Sequence, residues 1–196
     1  MPHPTLLLVR HAAVDDSDGV CYGASDWSAN SAATDALANA LAEQLPRDLC
    51  VLASPLQRCR QLAVALQARR PDLAFAVDPR LQEFNFGAWE GRRWADIDRH
   101  AFDRWFVDFW RRPPATGAET TAAFMNRVAA AWDACHARAL DTLWITHAGV
   151  VRAAMLIARG ARLPINASQW PRDGIRRGTI YAFGLDQPSR NGEAWC

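Results

Sequence analysis

The sequence contains no lysine; all 22 of its basic residues are arginine. Every cationic position is therefore a planar fork that stays charged and suits bidentate binding of oxyanions. Against them stand 21 acidic residues, for a net charge of +1. No surplus of one sign is left to hold nucleic acid or an acidic membrane, and neither partner is expected. The cysteines are few and odd in number (Cys21, Cys50, Cys59, Cys135 and Cys196), with no CxxC pair. Cys50 and Cys59 fall within apolar patterns and read as buried, reduced thiols rather than disulfides or metal ligands. HxxxH and HExxH spacings are absent, and arginines beside the histidines repel a metal cation, so no metal or other cofactor is expected. The opening MPHPTLLLVRHAA has neither a basic leader nor an apolar run long enough for a membrane span. Repeats, low-complexity tracts and linkers are missing as well. The expectation is a cytoplasmic protein with one domain over residues 1–196.

What is present is an alternation of strand and helix patterns. Residues 5–10 read as a buried strand, and a helix capped by Asn30 or Ser31 follows, closed by Pro46. A second buried strand, 49–54, ends at Ser54-Pro55, read as an N-cap and first helical residue. Residues 73–78 form a third strand, and a loop then leads to a Trp- and Phe-rich helical region near 95–111. After the breakers Pro113, Pro114 and Gly117, the pattern predicts a long helix from Thr120 to Ala139, a fourth strand at 142–146 and a helix stopped by Gly160. A last strand over 178–185 fits a sheet edge. Such alternation predicts an α/β fold, a three-layer α/β/α sandwich with a mostly parallel central sheet.

In open α/β sheets ligands bind beyond the carboxyl ends of the strands. Here those ends carry Arg10 with His11, Ser54 with Arg58 a turn later, and Thr146 with His147. Any one of these alone reads as a surface cation or turn residue. Together they form a set suited to a phosphoryl group: guanidinium forks for its oxygens and a neutral imidazole as covalent nucleophile.

These residues resemble the histidine phosphatase superfamily, which includes the phosphoglycerate mutases. LVRHAAV is similar to its RHG motif, ASPLQRCRQLA to SSPLxRAxQTA, and LQEFNFGAWEG to its acid-bearing segment. PATGAETTAAFMNRV and WITHAGVVRA resemble its GGES-plus-arginine and second histidine segments. The resemblance implies a phosphoglycerate mutase-like fold. It makes His11 the nucleophile, gives Arg10, Arg58 and His147 the phosphoryl oxygens, and makes Glu83 the proton donor, with Glu90 a turn or packing residue. Ala12 stands where the motif has glycine, bringing a Cβ to where backbone approaches phosphate, and Ser17 lies near the position of a phosphate-contacting asparagine. The aromatic segment after Glu83 resembles the phosphatases rather than the mutases, whose basic segment there handles a second anion. GVCYGASD resembles a segment of the α-ribazole phosphatases, which implies a small-molecule phosphate monoester, α-ribazole 5′-phosphate, as substrate. Tyr22 and Trp89, with Trp27, Trp94 and Trp105, offer stacking surfaces for a flat base. A broad sugar-phosphate phosphatase, a phosphoglycerate mutase and a non-catalytic phosphate-binding module are the alternative readings.

Overall fold

The protein is described by a computed structural model covering residues 4–164 and 166–185. Its elements in chain order are β1 (Thr5–Arg10), α1 (Ser31–Gln44), β2 (Cys50–Ala53), α2 (Gln57–Arg69), β3 (Phe75–Val77), α3 (Arg99–Val107), α4 (Thr121–Arg138), β4 (Thr142–Thr146), α5 (Ala148–Ala158) and β5 (Ile180–Gly184). The strands lie in the order β3-β2-β4-β1-β5. Neighbours pair in parallel except β5, which runs antiparallel to β1 at the edge.

Alternation along the strands makes the layers. Leu6, Leu8, Leu52 and Trp144 point to one face and join a cluster with residues of α4 and α5. Val9, Val51, Leu143 and Ile145 point to the other and pack with Leu37, Leu41, Leu62 and Leu66 of α1 and α2. Burial on both faces explains why these strands read as unbroken apolar runs.

Local chemistry sets the helix ends. Asn30 caps α1, its side chain accepting from the Ala33 amide at 2.9 Å. Thr120 does the same for α4 from Ala123 at 3.1 Å. At α2 the structure departs from the expected cap: the helix begins at Gln57, whose amide donates to Asp26, 31 residues upstream, at 2.6 Å. Ser54 accepts from the Leu56 amide at 3.3 Å, one residue before the helix, and also meets His147, as described below. β3 is shorter than expected because Leu73 turns back to the end of α2, its amide on the Arg70 carbonyl at 2.9 Å. The aromatic helix is also shorter than 95–111, since Asp98 caps it and Trp94–Asp96 forms a separate 3₁₀ turn. Among the described residues, no helix is long and apolar enough to cross a membrane.

Candidate active site

Register brings the strand ends together. Arg10 lies beside Thr146 across β1 and β4, and Ala53 beside Ile145 across β2 and β4. The residues that follow, His11, Ser54 and His147, therefore emerge side by side at the carboxyl edge. The His11 amide donates to the Thr146 carbonyl at 3.0 Å, and the Ser54 amide to that of Ile145 at 3.0 Å, which carries the pairing past the strands.

His11 is 2% exposed, and its Nδ1 lies 2.7 Å from the Ala12 carbonyl. A carbonyl only accepts, so Nδ1 carries the proton and the Nε2 lone pair is uncommitted. The rings of His11 and His147 are 5.2 Å apart. His147 is completely buried; its Nε2 meets the Ser54 hydroxyl at 2.7 Å and the Cys59 sulfur at 3.4 Å. Burial, then the positive charge of Arg58, pushes both imidazoles well below the ordinary value of 6.5; the backbone bond of His11 only partly opposes this.

Arg58 is 0% exposed. Its guanidinium donates to the carbonyls of Ser25 and Gly23, both at 2.6 Å, and lies over the Tyr22 ring, 5.3 Å from the centroid. Arg10 donates to the Ile175 carbonyl at 3.0 Å. Glu83 stands opposite, its carboxylate accepting from the amides of Phe84 at 3.0 Å and Gly149 at 2.9 Å. Gly149 lies in the first turn of α5, and a Cβ there would run into that carboxylate. Gly23 is constrained likewise, because a Cβ would meet the Phe84 carbonyl and the Phe86 ring.

Arg10, His11, Tyr22, Arg58 and Glu83 line one cavity of about 430 Å³, whose upper wall is aromatic, with Phe86, Trp94, Trp105, Phe109 and Trp170. Among the described residues, four buried side-chain nitrogens have no hydrogen-bond partner: Nε of Arg10, Arg58 and Arg152, and Nε1 of Trp105. All four residues line this cavity. Buried donors are satisfied as a rule, so this concentration marks where a ligand supplies acceptors.

Two expected substrate contacts are not brought here. Ser17 is buried with its hydroxyl on the Val14 carbonyl at 2.7 Å, inside its own turn. Trp89 is turned into the core by the 3₁₀ turn Gly87–Trp89 and packs on Phe102 at 4.8 Å. Ala12 does not crowd the cavity, because its side chain joins Val9 and Ala29 in the cluster under α1 and α2. Glu90 ties two loops together, accepting from the amides of Ala24, Ser25 and Phe86 and from the Ser25 hydroxyl. His3 and Cys196 lie outside the described residues.

Sequence assigned no role to other residues here, the arginine of the GGES-like segment among them. Arg127 of α4 donates to the carbonyls of Arg80, Gln82 and Glu83 and pairs with Glu119 at 2.7 Å, bracing the loop that carries Glu83. Arg152 reaches the cavity from α5. Its signal was available, as the one charge within the apolar run VVRAAMLIA. Trp170 had none.

The two depressed histidines fix a pH response. Folded-state values below 6.5 mean that acid protonates the unfolded chain first, so stability present above pH 6.5 falls as pH drops toward the lowered folded values. Urea unfolding at pH 7.5, 6.5 and 5.5 should show that decline, approaching about 1.4 kcal/mol per pH unit for each imidazole that stays neutral. The slope should flatten in a His11→Asn/His147→Asn variant; an unchanged slope would show the histidines do not carry it.

Comparison with known proteins agrees with this geometry. Residues 6–184 match the family described as Histidine phosphatase superfamily (branch 1). The Mycobacterium tuberculosis protein Rv0525 is 43% identical over 97 residues, covering 47% of this chain and 46% of that one. The adenosylcobalamin/alpha-ribazole phosphatase of Salmonella typhimurium is 33% identical over 130 residues, 61% of this chain and 59% of that enzyme. The chain thus spans only about half of the curated relatives' length, 46% of the first and 59% of the second. Among solved structures, the alpha-ribazole phosphatase of Shigella flexneri superposes with a TM-score of 0.75 at 26% identity, covering 94% of this chain and 92% of that one. The architecture is the phosphoglycerate mutase-like one. The chain belongs to the histidine phosphatase superfamily.

Proposed function

We propose that the protein is a phosphomonoesterase that works through a phosphohistidine at His11, without a metal or cofactor. The carrying observation is the group of unpartnered guanidinium nitrogens around an imidazole whose Nδ1 is already committed. Arg10 and Arg58 take the phosphoryl oxygens and offset the charge that a metal would otherwise meet. His147, neutral and held at Nε2 by Ser54, stands ring to ring with His11 at 5.2 Å and does not itself line the cavity. The Nε2 of His11 attacks phosphorus as the ester P–O bond breaks, and Glu83 gives its proton to the departing oxygen. Water then attacks the phosphohistidine and loses a proton to the Glu83 carboxylate, and the P–N bond breaks to release inorganic phosphate. Membership of the superfamily supports a phosphatase or mutase. Aromatic side chains where a mutase handles its second anion favour water as acceptor.

Retention of a nucleophile, an acid and a phosphate clamp counts against a pure binding module, and the inward-facing Ala12 gives no ground for one. Brief incubation with labelled substrate and an alkaline quench should trap an acid-labile phosphoenzyme in the wild type and none in His11→Ala. Turnover surviving in that variant would remove His11 from its role.

Glu83→Gln should lower hydrolysis of alkyl phosphates by roughly 10²–10⁴-fold, the usual worth of a general acid. Hydrolysis of p-nitrophenyl phosphate, whose leaving group needs little protonation, should fall far less. Equal losses would make Glu83 a structural carboxylate.

For the substrate, we favour α-ribazole 5′-phosphate. The Salmonella relative's name and the cavity's single phosphate clamp under an aromatic wall support this reading. A flat base gains roughly 1–3 kcal/mol from stacking on such rings, whereas a carboxylate must be desolvated against them. Higher kcat/KM for α-ribazole 5′-phosphate than for 3-phosphoglycerate is expected. Equal or faster turnover of 3-phosphoglycerate, or its isomerisation, would overturn this choice of substrate.

A further inference from the structure

Arg152 is the one guanidinium in the cavity wall that the phosphate clamp leaves unused. It lies on α5 one turn beyond Gly149, whose amide holds the Glu83 carboxylate, so both project from one face of the helix. Of its five N–H groups, one on Nη2 donates to the Asp173 carbonyl at 3.1 Å, while Nε is buried and unpartnered. Through the Gly149 amide, Arg152 stands on the same helix turn as the acid, whose proton goes to the departing alcohol.

Resting on the phosphatase reading, we propose that Arg152 forms a leaving-group subsite: it donates to a hydroxyl or ring oxygen of the alcohol that Glu83 protonates. The substrate is then the phosphate ester of a hydroxylated, ring-bearing alcohol such as a pentose, not a plain aryl or alkyl phosphate. A neutral oxygen fits this position better than a second anion. The wall around it carries Trp105, Phe109 and Trp170, against which a second anion would have to be desolvated. The buried Nε1 of Trp105, also unpartnered, adds a further donor to the same wall.

The test compares ribose 5-phosphate with benzyl phosphate. Both are esters of primary alcohols, so they make a similar demand on Glu83, but only the first carries oxygens beyond the scissile bond. Arg152→Met should lower kcat/KM for ribose 5-phosphate by about 10- to 100-fold, the range for a hydrogen bond from a charged donor, and change benzyl phosphate by less than about 3-fold. Arg152→Lys, which keeps the charge but loses the fork, supplies the same comparison if the methionine variant does not fold. Equal losses on the two esters would overturn the subsite, because Arg152 would then serve the phosphoryl group or merely hold the Asp173 segment. No loss on either would overturn it too. If the wild type hydrolysed neither ester, the phosphatase reading itself would fall, and the subsite with it.

Discussion

Arg58 carries a full positive charge at 0% exposure and, among the described residues, makes no ion pair. An isolated buried charge is costly, and here backbone carbonyl dipoles of Gly23 and Ser25 offset it. Much of the site follows from that arrangement. The segment 22–25 must stay where its carbonyls face the guanidinium, which fixes the Tyr22 ring above it and requires glycine at 23. Burial first and this charge second push the neighbouring imidazoles toward the neutral form, which is the form of His11 that attacks. Carbonyls supply only partial negative charge, which leaves the positive potential of the cavity for an anionic ligand to complete.

Holding a chain of carbonyls against a buried cation needs bracing from outside, and two carboxylates provide it. Glu90 binds the amides of Ala24, Ser25 and Phe86, joining the Arg58 loop to the loop that follows Glu83. Glu119 receives Arg127, which in turn draws in the carbonyls of Arg80, Gln82 and Glu83, and also accepts from the Asn85 amide at 2.9 Å. The nucleophile thus rides on the rigid sheet while the acid rides on a loop tied to α4 and α5. Precise placement of reacting groups depends on such support more than on the groups themselves.

The strands were legible because burial on both faces writes them as apolar runs, and their ends because charged residues interrupt those runs abruptly. Arg10, His11, Arg58 and His147 could be read for that reason. Side-chain direction within irregular backbone could not. Trp89 and Phe86 are equally aromatic neighbours of Glu83, yet the turn at Gly87, with φ of 58°, sends one inward and leaves the other on the cavity wall. The cap of α2 is not the local one because Asp26 reaches the Gln57 amide from 31 residues away, while Ser54 accepts only from Leu56, before the helix, and meets His147. Long-range partners of this kind leave no trace in spacing. Arg152 differs, since a charge alone in an apolar helix run needs a polar destination, and that reasoning was open from the sequence.

The alanine after the nucleophile shows how a motif can be read through its backbone. Ala12 contributes to the site a carbonyl, the one that holds Nδ1 of His11, and its Cβ departs to the opposite face among Val9 and Ala29. Its backbone does not adopt positive φ, so glycine's special freedom is not used at this position. Size is therefore limited by the packing under α1 and α2 and not by the bound phosphate. A methyl fits that layer, whereas a larger side chain would press on the close-packed core and shift the carbonyl with it. The tautomer of the nucleophile, and with it the lone pair available for attack, thus depends on how well a small apolar side chain fills a space on the far side of the sheet.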